Sequence, residues 1–474
     1  MPSLPFGKTS YKRDNGDMPR LRLVNMVAEP APTGEQGVLL SRLPLVQDGA
    51  DIGTGPIHGI FQKDGVLGGD TFVVSGSTLY RGAVALGVVG GSGPVRWAAS
   101  ASEIVVTRGD QAYSYNGTNF QTIALPDGDR PVIGFRSVAF VNGLFVFVTI
   151  TDPGVAGVPD HYWFWSAIND ARTIDDLDFA AAESEPDALL DVVADGAGNI
   201  YLLGQGSGEI WALTGAANLP FSRISQRALG RGVAATGCAE IVDGTLYFID
   251  NEFIVCRMEE IAKRISDHGL EERIRKSATR AAFKYGFEGH LFFVILLADE
   301  ALEFDVASGT WPELATYGRD MFVGKCAVTI DGVPHFGTDF TSGGVVATFG
   351  THGTPEHGAV AFERIFHAGQ VIPAGALIVD NVLVFCNVGA TTLDIGPGAD
   401  PLLEMRASRD GGRSWTPWRS AKLGEKGQYR KQVRFGRLGS FGPPGILLEF
   451  RCTENVPLRI SDVRYNESLS GRGW

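Results

Sequence analysis

The sequence predicts an all-β protein in which a β-propeller carries a short helical insertion, an extended N-terminal arm and a C-terminal β-sandwich-like domain. Its 474 residues include 62 Gly and 24 Pro without a collagen period, a composition typical of many tight turns between short strands. A small turn followed by an aromatic-rich strand recurs about every 33 to 55 residues, which is the range of propeller blades. Charge and strand pattern both change near residue 360, which marks a second domain.

The recurring unit favours a propeller over other all-β folds. Its turns contain dipeptides such as Asn-Gly and Asp-Gly, which favour hairpins with positive φ. Each blade buries its faces only against its neighbours, so we expect a nearly complete ring of six to eight blades. A pair of β-sandwiches would explain the turns but not the period. The units begin at Gly76, Gly109, Asn142, Gly198, Asp243, Glu288 and Asp331.

The pattern divides the chain into an extended arm over residues 1–45, a propeller over 46–355 and a β-sandwich-like domain over 356–474. Prolines at six positions exclude long helices from the arm, and we expect it to run over other parts of the molecule or over a neighbour. Strand-like runs in the C-terminal segment alternate apolar and polar residues, as half-buried strands do.

One segment departs from the β pattern. Residues 259–265 and 270–276 are rich in helix formers, and each contains two apolar residues four positions apart. This spacing predicts two short helices separated by Gly269. They would either protrude from a propeller edge, where a partner could touch them, or pack on their own blade.

The charge is uneven along the chain. The net charge is −13, but residues 401–474 contain 14 Lys and Arg against 7 Asp and Glu, so the first 400 residues carry −20. Residues 152–199 hold 11 acidic side chains against the single Arg172. Such an acidic body excludes tight binding of nucleic acid, because it repels phosphates. The acidic stretch is either a set of solvated loops or a surface with a specific use.

The segment from Ser408 to Trp415 resembles the Asp-box of sialidases and other β proteins. In such a hairpin, Asp410 accepts backbone N–H bonds across the turn, Gly412 takes positive φ and Trp415 packs beneath. The Asp-box is a folding device, and a sialidase would also need an arginine cluster, a tyrosine nucleophile and an acidic partner. We therefore predict a structural turn made by Ser408, Asp410, Gly412 and Trp415.

No other pattern predicts a catalytic, cofactor-binding or metal-binding residue. The Gly-rich run 204–208 has no helix after it, as a phosphate-binding loop requires. His352, His357 and His367 match no known spacing of metal ligands. The five scattered cysteines favour buried thiols over disulfides. Neither a signal peptide nor a membrane-length apolar run is present, so we expect synthesis in a cytoplasm and no membrane insertion.

Eight short motifs occur in a set order along nearly the whole chain: Leu23–Met26, Leu40–Pro44, Glu183–Asp187, Gly208–Gly215, Gly232–Ala234, Ile265–Glu271, Thr338–Asp339 and Gln432–Gly439. Each is weak alone. In this order they resemble the packaged-DNA-stabilisation proteins, also called tail hubs or nozzles, of short-tailed (podovirus-type) bacteriophages.

The resemblance implies a structural virion protein that performs no catalysis. Such proteins form a ring, a hexamer by resemblance, below the head-to-tail adaptor. They extend the DNA channel, retain packaged DNA and take part in its ejection, and they anchor tail fibres or spikes or the tail-tip plug. The expected partners are other copies of the chain, the adaptor, and the fibre, spike or plug protein, with transient non-specific proximity to DNA. The chain would be made in the host bacterial cytoplasm and end in the phage tail.

Two charged surfaces are then candidate functional sites. An acidic channel wall repels DNA weakly and lets it slide, whereas basic residues away from the wall would meet an acidic protein partner. The candidate channel-facing residues are Asp175, Asp176, Asp178, Glu183, Glu185 and Asp187. The candidate partner surface consists of Arg430, Lys431, Arg434 and Arg437.

Two other function classes stay open on the sequence. A propeller glycoside hydrolase or lyase would need a pair of carboxylates in a pocket. A carbohydrate-binding propeller would use an exposed aromatic cluster, for which Tyr162–Trp165 is the candidate. Alternating aromatics more often fill blade interiors, so we expect this cluster in the core.

Overall fold

The computed structural model describes residues 2–12, 21–29, 37–126, 132–152, 160–182, 185, 187–216, 219–224, 229–319, 321–340, 343–358, 360–371, 375–391, 394 and 398–467. Within these ranges the chain has 38 β-strands and one α-helix, which confirms the predicted all-β class. No helix of the described residues is both long and apolar enough to cross a bilayer.

Seven blades of four antiparallel strands form a propeller; six of them are separate sheets, and blade 6 is part of a nine-stranded sheet. Four strands precede the first blade: β1 Leu23–Val24, β2 Met26–Glu29, β3 Val38–Ser41 and β4 Leu45–Gln47. Blades 1 and 2 consist of β5 Ile57–Phe61, β6 Phe72–Ser75, β7 Thr78–Arg81 and β8 Val84–Val88, then β9 Val95–Ala99, β10 Ile104–Arg108, β11 Gln111–Tyr115 and β12 Phe120–Thr122. Blades 3 and 4 consist of β13 Val132–Val141, β14 Leu144–Thr151, β15 Tyr162–Trp165 and β16 Phe179–Ala181, then β17 Leu189–Ala194, β18 Asn199–Gly204, β19 Gly208–Leu213 and β20 Phe221–Arg223.

Blades 5 to 7 complete the ring. They consist of β21 Ala239–Val242, β22 Thr245–Ile249, β23 Val255–Met258 and β24 Ala262–Arg264, then β25 Arg280–Phe287, β26 His290–Leu297, β27 Ala301–Asp305 and β28 Glu313–Leu314, then β29 Gly324–Ile330, β30 Val333–Thr338, β31 Val346–Phe349 and the earlier strand β4. The innermost strands β5, β9, β13, β17, β21, β25 and β29 contact one another in that order, and β29 contacts β5. Because β4 is the outermost strand of blade 7, both ends of the propeller sequence lie in one sheet and hold the ring closed.

Four of the seven predicted turns are two-residue hairpins that join the first two strands of a blade, whereas those at Gly76 and Gly109 join the second and third strands. In each of the four, a residue with φ between 44° and 50° precedes a glycine with positive φ, the geometry of a tight hairpin that matches strand twist. These four turns are Asn142–Gly143, Asp243–Gly244, Glu288–Gly289 and Asp331–Gly332.

The helical insertion differs in part from the prediction. The single helix, α1, spans His268–Lys276, and Asp267 caps it by accepting the N–H of Leu270 at 2.8 Å. Gly269 lies inside its first turn rather than between two helices, and the predicted helix over 259–265 is wrong, since β24 occupies Ala262–Arg264. Pairing with β23 overrides the helix propensity there. Leu270 and Ile274 are buried, so α1 packs on the propeller rather than protruding.

The C-terminal strands form a two-sheet sandwich: β32 Arg364–Val371, β33 Leu377–Cys386, β34 Leu402–Ser408, β35 Arg419–Lys422, β36 Val433–Phe441, β37 Gly445–Cys452 and β38 Arg459–Glu467. One sheet has the strand order β1-β32-β37-β34-β35, and the other has the order β2-β3-β38-β33-β36. Strands from both ends of the sequence therefore share this domain and its apolar core.

The described part of the N-terminal arm is extended and lies on the sandwich of its own chain. Ser3 pairs with Arg464 on β38, and Phe6 pairs with Ala368 on β32. Leu4 and Leu23 are fully buried in the sandwich core. Of the two expected courses of the arm, the described residues follow the one over the molecule itself.

The sandwich is attached to one side of the propeller. Strand β1 pairs in parallel with β28, the outermost strand of blade 6, so one nine-stranded sheet continues from that blade into the sandwich. The chain enters blade 7 through β4 and leaves it through β31. Blade 3 is three blades away from both blade 6 and blade 7, and it therefore lies on the opposite side of the ring.

Candidate functional site

A cavity of about 620 Å³ lies on the propeller axis. Residues of all seven innermost strands line it, and its wall mixes apolar and charged side chains. One wall residue from each blade, in order, is Phe61, Arg96, Val138, Val193, Glu240, Lys284 and Val328.

Arg96 reaches across this axis from blade 2. It donates to Glu240 Oε1 on blade 5 at 2.9 Å, and its Nε lies 3.4 Å from Asp191 Oδ1 on blade 4. Asp191 is fully buried and also accepts the N–H of Gly237 at 2.9 Å. An isolated buried charge is costly, and Arg96 offsets part of that cost, although burial still raises the pKa of Asp191. The network ties three blades together, and its side chains span the axis at this level.

Sequence reasoning missed this network, although the sequence contains a signal for it. Arg96 and Asp191 each interrupt a run of apolar residues on a strand, at Val95–Ala99 and at Leu189–Ala194. A charge within a buried run is rarely left without a partner. Such positions predict an ion pair, but the partner becomes known only when the blades are placed in a ring.

The first two motifs of the family resemblance lie at the junction of propeller and sandwich. Asn25 has φ of 52°, and its side chain donates to the carbonyls of Ala315 and Glu363, each at 2.8 Å. Arg42 is 2% exposed, forms an ion pair with Glu303 and donates to the hydroxyl of Tyr285. These motif residues therefore hold the two domains together rather than forming an exposed site.

A second charged network crosses the same junction. Glu313 on β28 receives Arg273 of α1 at 2.9 Å and Arg22, from the residues before β1, at 3.1 Å. Burial opposes ionisation of Glu313, but the two guanidinium groups outweigh it and lower the pKa of that carboxyl. Arg273 also pairs with Glu300 on the β26–β27 turn. The network fixes α1, blade 6 and the N-terminal segment in one arrangement.

The Asp-box-like segment makes a compact turn between β34 and β35. Asp410 Oδ1 accepts the N–H groups of Arg413 and Ser414, both at 2.9 Å, and the N–H of Gly412, with φ of 96°, donates to Ser408 Oγ at 2.8 Å. The hydroxyl and N–H of Ser414 stabilise the ionised form and hold the pKa of Asp410 well below its usual range. Trp415 lies beside the Arg406 guanidinium, which is 4.7 Å from its ring centre. These contacts are those of a folded turn.

The other residues considered from sequence have structural surroundings. His367 Nε2 lies 2.8 Å from Glu449 Oε2, whereas His357 stacks on Phe340. No group of His, Cys, Asp or Glu within the described ranges has the arrangement of a metal site. Trp163 is fully buried and packs against Trp211, so the aromatic cluster is core, as expected. Burial raises the pKa of four cysteine thiols to about 12: Cys238, Cys256, Cys326 and Cys386.

The candidate basic residues lie along one margin of the sandwich, which we call the basic edge and define as Arg430, Lys431, Arg434 and Arg437. Strand β36, which carries two of them, ends one sheet and contacts β35, which ends the other. Arg430, Arg434 and Arg437 are exposed. Arg434 donates to the Asn381 side chain at 2.8 Å, and Lys431 is 4.0 Å from an Asp400 oxygen.

The candidate acidic residues do not form one cluster. Asp175, Asp176 and Asp178 share the loop between β15 and β16 at the outside of blade 3, and we call these three the acidic rim. Partial burial raises the pKa of Asp178, and the charge of Asp175 adds to the shift. Glu185 is exposed, and Glu183 lies outside the described residues.

Asp187 has a different use, because it accepts the N–H groups of Gly206 and Ser207 at 2.5 and 3.1 Å and so closes the β18–β19 turn. Of the described acidic candidates, none lines the axial cavity.

Comparison with known proteins identifies a family. Residues 2–323 match the phage-stabilisation family described as "Bacteriophage P22 Gp10, beta-propeller". A search of curated proteins finds no match.

Three solved structures illustrate the structural likeness. A streptogramin B lyase structure is 12% identical with a TM-score of 0.43, and the match covers 65% of this chain and 97% of that one. The extracellular domain of a one-component system of B. thetaiotaomicron is 9% identical with a TM-score of 0.44, over 90% of this chain and 62% of that one. The structure titled "YCF48 bound to D1 peptide" is 11% identical with a TM-score of 0.39, over 65% and 97%. Similarities this distant carry no information about chemistry.

Proposed function

The chain belongs to the phage-stabilisation β-propeller family, and on that premise we propose that it is the ring-forming hub, or nozzle, of a short-tailed phage tail. In this function several copies sit below the head-to-tail adaptor and extend the DNA channel, retaining the packaged genome. The ring, six copies by resemblance, also anchors the fibre, spike or plug. The observation that carries the proposal is the family match over residues 2–323.

The side chains on the propeller axis favour a channel built between copies. Arg96 bridges to Asp191 and Glu240 across the axis, so side chains of three blades occupy it. The proposal therefore places the conduit for DNA between several copies, and closed rings of identical chains are the usual way to build one.

The rigidity of the chain also fits a structural part. Its ring is closed by β4, and its second domain is fixed to blade 6 by a continuous sheet and by buried ion pairs. A part that must hold a pressurised genome benefits from domains that do not move relative to one another. Catalysis plays no part in this proposal.

The test is a phage in which the gene for this chain is interrupted and supplied again from a plasmid. Without the chain, we expect heads that fill with DNA but lose it, measured as nuclease-protected genome per particle, and tails that lack fibres in electron micrographs. The plasmid copy should restore both properties. Particles without the chain that keep their DNA and infect normally would contradict the proposal.

A further inference from the structure

The two ends of this molecule carry opposite charge. The sandwich is joined to blades 6 and 7 through β1 and β4, and β35 and β36 are the sheet-ending strands away from that joint. Blade 3 lies across the ring from blades 6 and 7. The basic edge and the acidic rim therefore lie at opposite ends of the chain.

The basic edge is the more concentrated of the two surfaces. Residues 409–437 contain nine Lys and Arg against two acidic residues. No ion pair links Arg430, Arg434 or Arg437 to another described residue. The adjacent Tyr429 is 74% exposed, although a tyrosine usually buries most of its ring. Exposed Arg and Tyr side by side are the residue types that dominate binding energy at protein interfaces.

The acidic rim is complementary to this edge in charge and in apolar content. Residues 173–181, which contain the rim, include three acidic residues and no Lys or Arg. Leu177 lies within the rim and is 72% exposed, and nearby Ile168 is 75% exposed. Asp175, Asp176 and Asp178 lie on one short loop, and cations from another copy would pair with their charges.

We propose that the basic edge of one copy docks on the acidic rim of the next copy, head to tail. The inference rests on the proposed ring and names the contact that closes it. Contacts of this type join two different surfaces of the same chain and close into a ring when the rotation allows. Opposed charges guide the encounter, while Tyr429 and Leu177 supply apolar area at its centre. The second copy brings the carboxylates of the rim to arginines that have no ion pair among the described residues.

The experiment measures self-association of the full chain by sedimentation velocity at low salt and at 150 mM salt. The edge variant is Arg430→Glu, Lys431→Glu, Arg434→Glu, and the rim variant is Asp175→Lys, Asp176→Lys, Asp178→Lys. Each is expected to weaken association about a hundredfold or more, since several like charges then face one another. A control variant, Lys263→Glu with Glu288→Lys, reverses exposed charges on blades 5 and 6 and should associate as the wild type does. Circular dichroism and thermal melting establish that each variant is folded.

Mixing the two variants gives the sharper result. The glutamate edge of one variant meets the lysine rim of the other, and the two unchanged surfaces also match. Association should return, and the rings that form should alternate the two variants and contain an even number of copies, as native mass spectrometry would show. A misfolded variant could not be rescued in this way.

Several outcomes would overturn the inference without touching the proposed function. The wild type could remain monomeric at every concentration and salt tested, or both variants could associate normally. A rim variant that assembles normally but slows DNA release from particles would assign the rim to the channel wall instead. An edge variant that assembles normally but loses binding of duplex DNA would assign the edge to the genome. Failure of the proposed function would show separately, as normal DNA retention in particles that lack the chain.

Discussion

Arginine serves opposite purposes at the junction and at the basic edge. At the junction, Arg42 is 2% exposed, pairs with Glu303 and lies 4.2 Å from the ring centre of Phe292. At the edge, Arg430 and Arg434 are exposed and have no carboxylate partner among the described residues. A buried pair fixes one arrangement of two domains, whereas an exposed charge stays available to another molecule. Burial and pairing, rather than residue type, separate the charges that hold the fold from those that can bind.

The largest difference in stability between the two regions is expected when one arginine is removed from each. Arg42→Ala should lower the free energy of unfolding by about 3 kcal/mol or more, because it leaves Glu303 buried without its counter-ion. Arg434→Ala should change it by less than about 0.5 kcal/mol, as exposed positions usually do. Urea unfolding followed by tryptophan fluorescence measures both.

The pH dependence of the junction variant tests the reason for this loss. Burial raises the pKa of Glu303, and Arg42 opposes that shift. Without Arg42 the carboxyl can become neutral more readily, so the destabilisation should be smaller at pH 5 than at pH 8. Equal losses for Arg42→Ala and Arg434→Ala would show that the two regions do not differ as described.

A change in stability of intermediate size is expected at Glu356, a buried carboxyl in the linker between propeller and sandwich. Glu356 is 1% exposed, and burial raises the pKa of its carboxyl to about 8, although the Leu45 N–H opposes the shift. A carboxyl whose folded pKa exceeds its unfolded value of about 4.3 stabilises the fold at low pH and loses that contribution as pH rises toward 8. Glu356→Gln should therefore gain stability relative to the wild type as pH rises, by roughly 1 to 3 kcal/mol at pH 8.

The neighbouring residue His357 affects the dependence of stability on pH in the acidic range. Burial lowers the pKa of His357 to about 4, so its contribution is lost as pH falls from the unfolded value of about 6.5 toward 4. In Glu356→Gln, stability should rise through this range and then stay level to pH 8. Thermal midpoints from pH 4 to pH 8 measure both slopes, and parallel profiles for the variant and the wild type would exclude a titrating Glu356.

The smallest effect is expected in the turn between β34 and β35. Asp410→Ala removes the acceptor for the Arg413 and Ser414 N–H groups, but water replaces it at this exposed site, so the loss should be about 1 kcal/mol. Glu288→Ala, at an exposed hairpin turn, is the matched control. A loss of several kcal/mol for Asp410→Ala would mean that the turn supports far more of the sandwich than its contacts indicate.

Local signals made the propeller predictable from sequence. The Asn142–Gly143 and Asp243–Gly244 turns carry their conformation in two residues, and a run of aromatics such as that of β15 indicates a buried strand. Non-local pairing was not predictable in the same way. The outer strand Ala262–Arg264 consists of good helix formers and becomes a strand only because β23 lies beside it. The partners of Arg96 and Arg42 are far away in sequence and become visible only once the ring is closed.

The two candidate charged surfaces show the same difference between local signals and non-local contacts. The basic edge stays together because its four residues lie close to one another along one loop and the strand β36. The acidic stretch separates, because Asp187 turns toward the β18–β19 hairpin while Asp175 to Asp178 lie at the outer rim of blade 3. The sequence therefore predicted where charged residues cluster. The hydrogen bonds and ion pairs of the fold determine which of these side chains remain available to another molecule.

The central claim is that several copies enclose the DNA path while the Arg96 network spans each propeller axis. A cryo-electron microscopy map of the assembled tail tests it most directly, because the map shows the chain and the DNA together. The account predicts a closed ring of copies around one central density for DNA, with the Arg96–Asp191–Glu240 network intact in each propeller. DNA density running through a propeller axis, or a particle without this chain, would contradict it.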